Sequence, residues 1–338
     1  MGRLFMTGFE MGAIPMTLMG TPDVVAANAR TGVYALRLDA GTEGAYFNLG
    51  ISLTELCARV AFRPIAMDDT YIQMIAQLTN SESEPMLGLG MAPNTLDLKI
   101  YRNDGNWVEI DVGSTLVLNT WYVFEIHLTA PDNASGAFQV KMDGVLDIDF
   151  LGDTLGTQTP ADFRYLYLGC STTATPRHRA ARGLYDDIAV NDTAGVVNNS
   201  WPGRGGIEAL VPTGAGATTG LTPSAGANWD CVEEVPASDA NYVGAETVDL
   251  FDTYGLSDTV QSGGVPAVCI WLRAALAEAG AGNVATMQRS GGADYTGDDK
   301  GIDTTYRYVS QIYEKNPATS APWTTVELDA LEAGAKVR

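Results

Sequence analysis

Over residues 1–192 apolar and polar positions alternate in short runs, the pattern of strands with one face in a core. Val33-Tyr-Ala-Leu-Arg-Leu38 and Ala45-Tyr-Phe-Asn-Leu49 alternate, and strands are predicted over 56–63, 71–78, 96–101 and 107–112. In Trp121-Tyr-Val-Phe-Glu-Ile-His-Leu128, residues Tyr122, Phe124, Ile126 and Leu128 share one face. Two hairpins carry their turn chemistry, Asn103-Asp-Gly-Asn106 and Asp143-Gly144, each between strand-like runs. Arg164-Tyr-Leu-Tyr-Leu-Gly169 is another strand, and Gly183-Leu-Tyr-Asp-Asp-Ile-Ala-Val-Asn-Asp192 reads as the last of the series. There Asp186 and Asp187 interrupt the alternation. A similar short strand opens the chain at 4–10, so the two ends of this body are expected to pair, bringing Glu10 and Asp187 onto neighbouring strands.

The second half is patterned less regularly. Asn198-Asn-Ser-Trp-Pro-Gly-Arg-Gly-Gly206 has the composition of a linker. Strands are predicted over 207–211, 246–251, 283–289 and 304–313, and the Gly/Ala/Thr/Ser-rich stretch 213–228 is predicted to be a surface loop. Residues 265–279 are rich in Ala, but Val268, Ile270 and Leu272 alternate after Gly263-Gly264, so a strand is predicted there too. Near the C-terminus Thr324 and Glu327 form a capping box, Leu328 and Leu331 fall on one helical face, and Gly334 is the predicted helix end. The expected organisation is a sandwich over 1–195, a linker over 196–206, and a β-rich assembly domain over 207–338.

Charge narrows the choice of partners. The net charge is −21. Residues 1–195 hold 12 basic and 23 acidic residues, net −11, and the remainder 8 and 18, net −10, so the acidity covers both halves. Such a field disfavours nucleic acid and anionic membrane as partners. No apolar run approaches the roughly 20 residues needed to span a bilayer, and Met1-Gly2-Arg3 leads directly into a strand rather than a secretory leader. Cys57, Cys170, Cys231 and Cys269 stand far apart without metal-ligand spacing, which fits buried small hydrophobes; their redox state stays open.

The residues Gly8-Phe9-Glu10, Asn119-Thr-Trp-Tyr-Val-Phe-Glu-Ile126, Phe138-Gln-Val-Lys-Met-Asp-Gly-Val145 and Leu184-Tyr-Asp-Asp-Ile-Ala-Val190 together resemble the concanavalin A-like, laminin-G-like jelly roll. The C-terminal segment, Trp323-Thr followed by Leu331-Glu-Ala-Gly334, resembles the second β domain of tailed-bacteriophage virion proteins. These resemblances imply an all-β chain, a concanavalin A-like jelly-roll sandwich plus a second β-rich domain with a short C-terminal helix. They also imply a non-enzymatic virion structural protein, a minor tail, adsorption-apparatus or fibre-like component on the particle exterior, made in the host cytoplasm. Its partners would be other virion proteins and further copies of itself in a symmetric assembly. The alternatives are a capsid decoration protein and a lectin-like module binding host surface glycans.

Individual site readings follow from the same residues. Glu327-Leu-Asp329-Ala-Leu-Glu332 matches the Glu-x-Asp-x-x-Glu string of jelly-roll glucanases, but on a helix these positions diverge, so no catalytic residue and no enzyme are expected. Glu109-Ile-Asp111 lacks the third carboxylate. With only His127 and His178, nucleophilic triads are not expected. No cofactor is expected other than Ca²⁺, for which Asp186 and Asp187 are candidate ligands, against a plain charged strand edge; the loop holding Asp294, Asp298, Asp299 and Asp303 is a second carboxylate cluster. Arg177, Arg179 and Arg182 form a basic loop, either solvated or docking onto an acidic subunit. If sugars bind, Trp229 is a loop aromatic able to stack on them, whereas Trp107, Trp121 and Tyr122 read mainly as core.

Overall fold

The computed structural model describes residues 2–129, 134–171 and 178–338. The chain divides into two compact units, Met1–Ile207 and Glu208–Arg338. In the first unit the strands are β1 (Arg3–Thr7), β2 (Thr17–Met19), β3 (Asp23–Val25), β4 (Ala35–Leu38), β5 (Gly44–Leu53), β6 (Glu55–Pro64), β7 (Ile72–Thr79), β8 (Pro85–Met91), β9 (Asp97–Asn103), β10 (Trp107–Thr115), β11 (Tyr122–Thr129), β12 (Gly136–Met142), β13 (Val145–Gly152), β14 (Phe163–Gly169), β15 (His178–Ala180) and β16 (Gly183–Asp192). They form two sheets. One runs β13-β12-β11-β6-β16-β4-β3 with β1 also on β16; the other runs β10-β9-β8-β7-β14-β5-β2 with β15 also on β7. All-β architecture is therefore as the sequence predicts.

Alternation explains the core. Leu166, Leu78 and Leu87 lie in register across β14, β7 and β8, all buried, and Phe47 of β5 stacks on Phe5 of β1 at 3.9 Å between centroids. Every residue of β16 is buried, because it lies between β6 on one side and β4 and β1 on the other. Residues 183–185 pair with β4, and 188–191 pair with β1, so the opening and closing strands meet as expected. The change of partner happens at a bulge. Pairing with β6 shifts register between Asp186 and Ala189, and Asp187 adopts a left-handed conformation, φ 52°.

That bulge turns the two aspartates into the centre of a buried polar network. The backbone N–H groups of Arg30 and Thr31 donate to Asp186 Oδ2 (2.8 and 3.3 Å), and Asp187 N–H donates to Asp186 Oδ1 (2.7 Å). Arg30 Nη1 pairs with Asp187 Oδ2 at 2.5 Å, while Thr31 Oγ1 and Ile207 N–H donate to Asp187 Oδ1 (2.7 and 2.6 Å). Buried Arg59 donates through Nε to the Asp187 carbonyl (2.7 Å) and through Nη1 to the Gly203 carbonyl (3.2 Å). Gly203 N–H in turn donates to Glu125 Oε1 (2.7 Å).

The stretch 196–206 is consequently not a free linker. Arg30 Nη2 donates to the Arg204 carbonyl, Arg204 Nη1 to the Asp143 carbonyl, and Trp201 lies edge-on to His127 with Lys141 over its ring. Its Gly-rich composition signals irregular backbone, but its carbonyls bond buried Arg59 and partly buried Arg30.

The second unit holds β17 (Pro212–Thr219), β18 (Thr222–Pro223), β19 (Val243–Gly244), β20 (Asp252–Leu256), β21 (Val268–Ala274), β22 (Gly282–Ser290), β23 (Ala293–Thr296), β24 (Lys300–Ile302), β25 (Arg307–Tyr313), α1 (Thr325–Asp329) and β26 (Glu332–Val337). Its main sheet runs β17-β20-β26-β22-β23, with β24 on β22, and β21 pairs with β25. The strands predicted over 265–279, 283–289 and 304–313 are present in shorter or matching form. Those at 207–211 and 246–251 are not, and part of the predicted loop 213–228 is β17. Glycine and threonine carry little apolar alternation, yet they let strands approach closely: a Cβ on Gly216 would sit 2.4 Å from the Thr253 carbonyl oxygen.

At the C-terminus the capping box of Thr324 and Glu327 forms, but the helix lasts only five residues. Leu328 and Leu331 pack with Trp323, and the chain then returns as β26. Gly334 does not end a helix. It lies against β20, where an added Cβ would meet the Asp252 carbonyl oxygen at 2.0 Å. Among the described residues no helix is long and apolar enough to cross a membrane.

Replacing Asp187 with Asn keeps its size, its tolerance of left-handed backbone and the carbonyl that Arg59 bonds, but removes the carboxylate that pairs with Arg30. Breaking one side of a buried ion pair costs about 3–5 kcal/mol, and Arg30 retains some solvent contact, so a loss near the lower end of that range is expected for D187N. Urea unfolding followed by tryptophan fluorescence measures it; an unchanged midpoint would mean the network contributes nothing to stability.

Candidate functional site

The outward face of the second sheet carries the aromatic residues that the core does not use. Register places Thr17, Tyr46, Tyr167, Gln77, Gly88, Tyr101 and Glu109 side by side across β2, β5, β14, β7, β8, β9 and β10. One step along, Asn48, Tyr165 and Thr79 form a second row. The sequence makes this face directly: in Arg164-Tyr-Leu-Tyr-Leu168 the leucines point into the sandwich, so the tyrosines point out.

Three tyrosines from two adjacent strands form a platform. Tyr46 stacks on Tyr167 at 4.8 Å and 25°, meets Tyr165 edge-on at 5.9 Å, and Tyr165 and Tyr167 are 6.5 Å apart. Tyr46 and Tyr165 are half-buried, Asn48 is exposed beside them, and Tyr167 is buried beneath. Burial and the neighbouring phenols push the Tyr167 hydroxyl up to about 12. The rings present apolar faces with hydrogen-bonding hydroxyl tips. The centre of the face is closed: Ser171 N–H donates to Gln77 Oε1 at 2.7 Å, and His178 lies edge-on to Trp107 at 5.6 Å. Lys99 pairs with Glu109 at 2.5 Å on the far side.

The residues singled out in the sequence are distributed differently. Asp186 and Asp187 are fully buried, and each of their four carboxylate oxygens already accepts from a protein donor. Burial and the adjacent Asp187 charge push the Asp186 carboxyl upward. This pair does not offer the open set of oxygens that Ca²⁺ takes. Among the described residues no group of three or more His, Cys, Asp or Glu side chains is arranged to hold a metal. In the acidic loop, Asp294 pairs with Arg289, Asp299 with Arg338 and Asp303 with Arg307, each at 2.8 Å, and Asp298 faces Lys300 at 4.0 Å.

Arg177 lies outside the described residues. The segment after it is not a solvated loop, because His178–Ala180 form β15, parallel to the start of β7. Arg179 stacks over Tyr71, 4.5 Å from the ring centroid, and Arg182 Nη2 donates to the Met67 carbonyl at 3.0 Å. Glu327 serves the helix cap, Asp329 accepts from Thr259 N–H, and Glu332 accepts from Thr253 and Ala217, so that string is split among three structural tasks. His127 bonds Gln139 and Glu55, and holds the Glu55 carboxyl below its usual range. Trp229 is half-buried in a short 3-10 turn. The tyrosine platform was not read as a site from sequence, although two tyrosines alternating with leucines on β14 signal it.

No family model and no curated protein matches the sequence. Solved structures match about half of the chain. An endo-β-1,4-glucuronan lyase from the fungus Trichoderma reesei is 17% identical, with 51% of this chain and 86% of that one covered and a TM-score of 0.39. Domain 4 of a GH43 extracellular arabinanase from Geobacillus stearothermophilus, in complex with arabinotriose, is 13% identical, with 56% and 92% covered and a TM-score of 0.41. A cellulose-induced protein is 12% identical, with 55% and 96% covered and a TM-score of 0.41. These likenesses concern the fold. Contrary to the expectation of a virion structural protein, none of these three is a virion component, and at this similarity they carry no role over to this chain. The expected short C-terminal helix is present as α1, with Leu331 to Gly334 lying beyond it and β26 following from Glu332.

Two solution measurements follow. Adding Ca²⁺ or EDTA is expected to leave the thermal midpoint unchanged, and a reproducible rise with Ca²⁺ would contradict the closed geometry at Asp186 and Asp187. Burial depresses the His178 imidazole to about 4, below the usual value near 6.5 for an unfolded chain. The unfolded state therefore binds the extra proton first, and stability is present above about pH 6.5 and lost as pH falls toward 4. Part of that slope should vanish in His178→Gln, and an identical slope in both proteins would refute this assignment.

Proposed function

We propose that the first unit is a non-catalytic carbohydrate-binding module that holds a neutral saccharide against the Tyr46–Tyr165–Tyr167 platform. The observation that carries this reading is the grouping of three tyrosine rings, two of them solvent-accessible, on the outer face of a rigid sheet beside Asn48 and Thr17. The apolar face of a pyranose or furanose ring covers such rings well. Phenol hydroxyls and the Asn48 amide then select the orientation of the sugar hydroxyls. A platform on strands rather than loops is held in place by sheet pairing on both sides, so little ordering cost accompanies binding.

The module acts by binding alone in this reading. The carboxylates that a hydrolase would need are engaged: Glu109 with Lys99, and Asp186 and Asp187 with Arg30 and backbone donors. The acidic surface also favours neutral glycans over polyanionic ones.

A panel of soluble neutral polysaccharides and their oligomers, titrated calorimetrically into the full chain, provides the test. Binding to at least one member is expected, with Tyr46→Ala and Tyr165→Ala each weakening it about tenfold or more, while Trp229→Ala leaves it intact. Release of new reducing ends would overturn the non-catalytic part of the proposal. Binding that survives both tyrosine variants would move the site elsewhere.

A further inference from the structure

A second site lies at the end of the sandwich, away from the tyrosines. There the turn after β4, the loop between β6 and β7, and the segment around β15 enclose a cavity of about 240 Å³, lined among others by Asp39, Gly41, Asp68, Gln73, Arg179 and Arg182. This is slightly below the roughly 300–1,000 Å³ of pockets for drug-sized ligands, a size suited to one sugar ring.

The lining is unusual in what it leaves unused. Gln73 is 1% exposed, and neither its amide nitrogen nor its carbonyl oxygen has a hydrogen-bond partner. A buried amide in that condition is destabilising unless something else bonds to it. Gln77, on the same strand, is partly satisfied, its oxygen accepting from Ser171 while its amide nitrogen has no partner; Gln288 of the second unit has neither atom of its amide bonded. Arg179 and Arg182 stand over the cavity, and among the described residues no carboxylate lies within ion-pair distance of either; Arg179 rests on the Tyr71 ring and Arg182 gives one bond to the Met67 carbonyl. Both guanidinium groups thus retain N–H donors. Gly41 makes room for the first of them, since a Cβ there would come within 2.8–2.9 Å of the Arg179 side chain.

The two acidic residues have partly assigned roles. Asp39 accepts from Arg37 through Oδ1, and Asp68 accepts the N–H groups of Thr70 and Tyr71 through Oδ1, so each keeps its second oxygen. The full set is two cationic forks, one unsatisfied amide with donor and acceptor, and two spare carboxylate oxygens. An isolated anion such as phosphate would use only the forks. A polyhydroxylated carboxylate uses everything: its carboxylate meets the guanidinium groups, and its hydroxyls donate to Asp39, Asp68 and Gln73 Oε1 while accepting from Gln73 Nε2. We propose that this cavity binds a monomeric or chain-terminal sugar acid, a uronic-acid residue in chemical class. The proposal stands apart from the tyrosine platform and does not require it.

Calorimetric titration of the full chain with D-glucuronate and D-galacturonate, against D-glucose, D-galactose and inorganic phosphate, tests the assignment. At least one uronate is expected to bind at ~1 mM or tighter, at least tenfold better than its neutral counterpart and than phosphate. Gln73→Leu, close in shape, and Arg179→Lys, which keeps the charge but loses the fork, should each weaken it tenfold or more. Tyr46→Ala should leave it unchanged, which separates failure here from failure of the platform. Equal binding of phosphate would show an anion site only and overturn the sugar-acid assignment. Absence of uronate binding in the folded wild-type chain, or full retention in both cavity variants, would overturn the site itself. Circular dichroism of each variant confirms that a loss of binding comes from a folded protein.

Discussion

The first unit depends on a change of partner in its last strand. β16 must bond β4 with its first half and β1 with its second, and two strands arriving on the same side of one ribbon cannot share a continuous register. A bulge with one left-handed residue resolves the conflict, and aspartate is among the few side chains that tolerate that backbone. The bulge frees backbone and carboxylate groups in a fully buried place. They are satisfied only because Arg30, Thr31, Arg59 and Ile207 converge on them. Polar groups buried this deeply must be completely paired or they destabilise the fold, so the loop before β4, the middle of β6 and the segment after β16 become parts of one knot.

That dependence explains why the Asp-Asp pair invites a metal reading in the sequence and does not sustain it. Adjacent carboxylates at the end of a strand look like ligands when their surroundings are unknown. The donors that occupy them come from more than 150 positions upstream, at Arg30 and Thr31, and no local spacing announces them. The same holds for 196–206, where glycine and proline suggest a tether but Gly203 supplies a carbonyl to buried Arg59, and Arg204 and Gly205 supply theirs to the partly buried Arg30.

Where strand positions alternate large apolar with polar residues, as in β11, β12 and β14, the elements were legible from sequence. Hairpin turns were legible too, since Asp143-Gly144 takes the left-handed angles its composition demands, φ 53° and 84°. Legibility failed where side chains are small. After Pro212, β17 is Gly, Ala and Thr, and its position is set by close backbone approach to β20 rather than by burial. It failed again at the end of α1: the capping box fixes where a helix starts, but Leu331 and Gly334 serve the sheet core and the β20 contact equally well. The tyrosine face lay in plain view as an alternation, yet a strand's outer residues gain meaning only once neighbouring strands are placed, and Tyr46 and Tyr165 are more than a hundred positions apart.

The two candidate sites divide the surface chemistry in a way the net charge makes intelligible. With −11 over the first 195 residues, the long-range field repels anions, but at physiological salt such fields fade beyond about 8 Å. Inside that distance, local groups decide. At the platform nothing local opposes the general repulsion, and neutral rings with hydroxyl tips suit a neutral sugar. At the cavity, Arg179 and Arg182 reverse the sign over a few ångströms only. A single carboxylate entering that space is within reach of both forks, whereas a polymer with a charge on every residue must lay its remaining charges against the acidic surface outside. Selection for a short or terminal acid over the interior of a polyanion therefore follows from the contrast between the two length scales, with no further contact required.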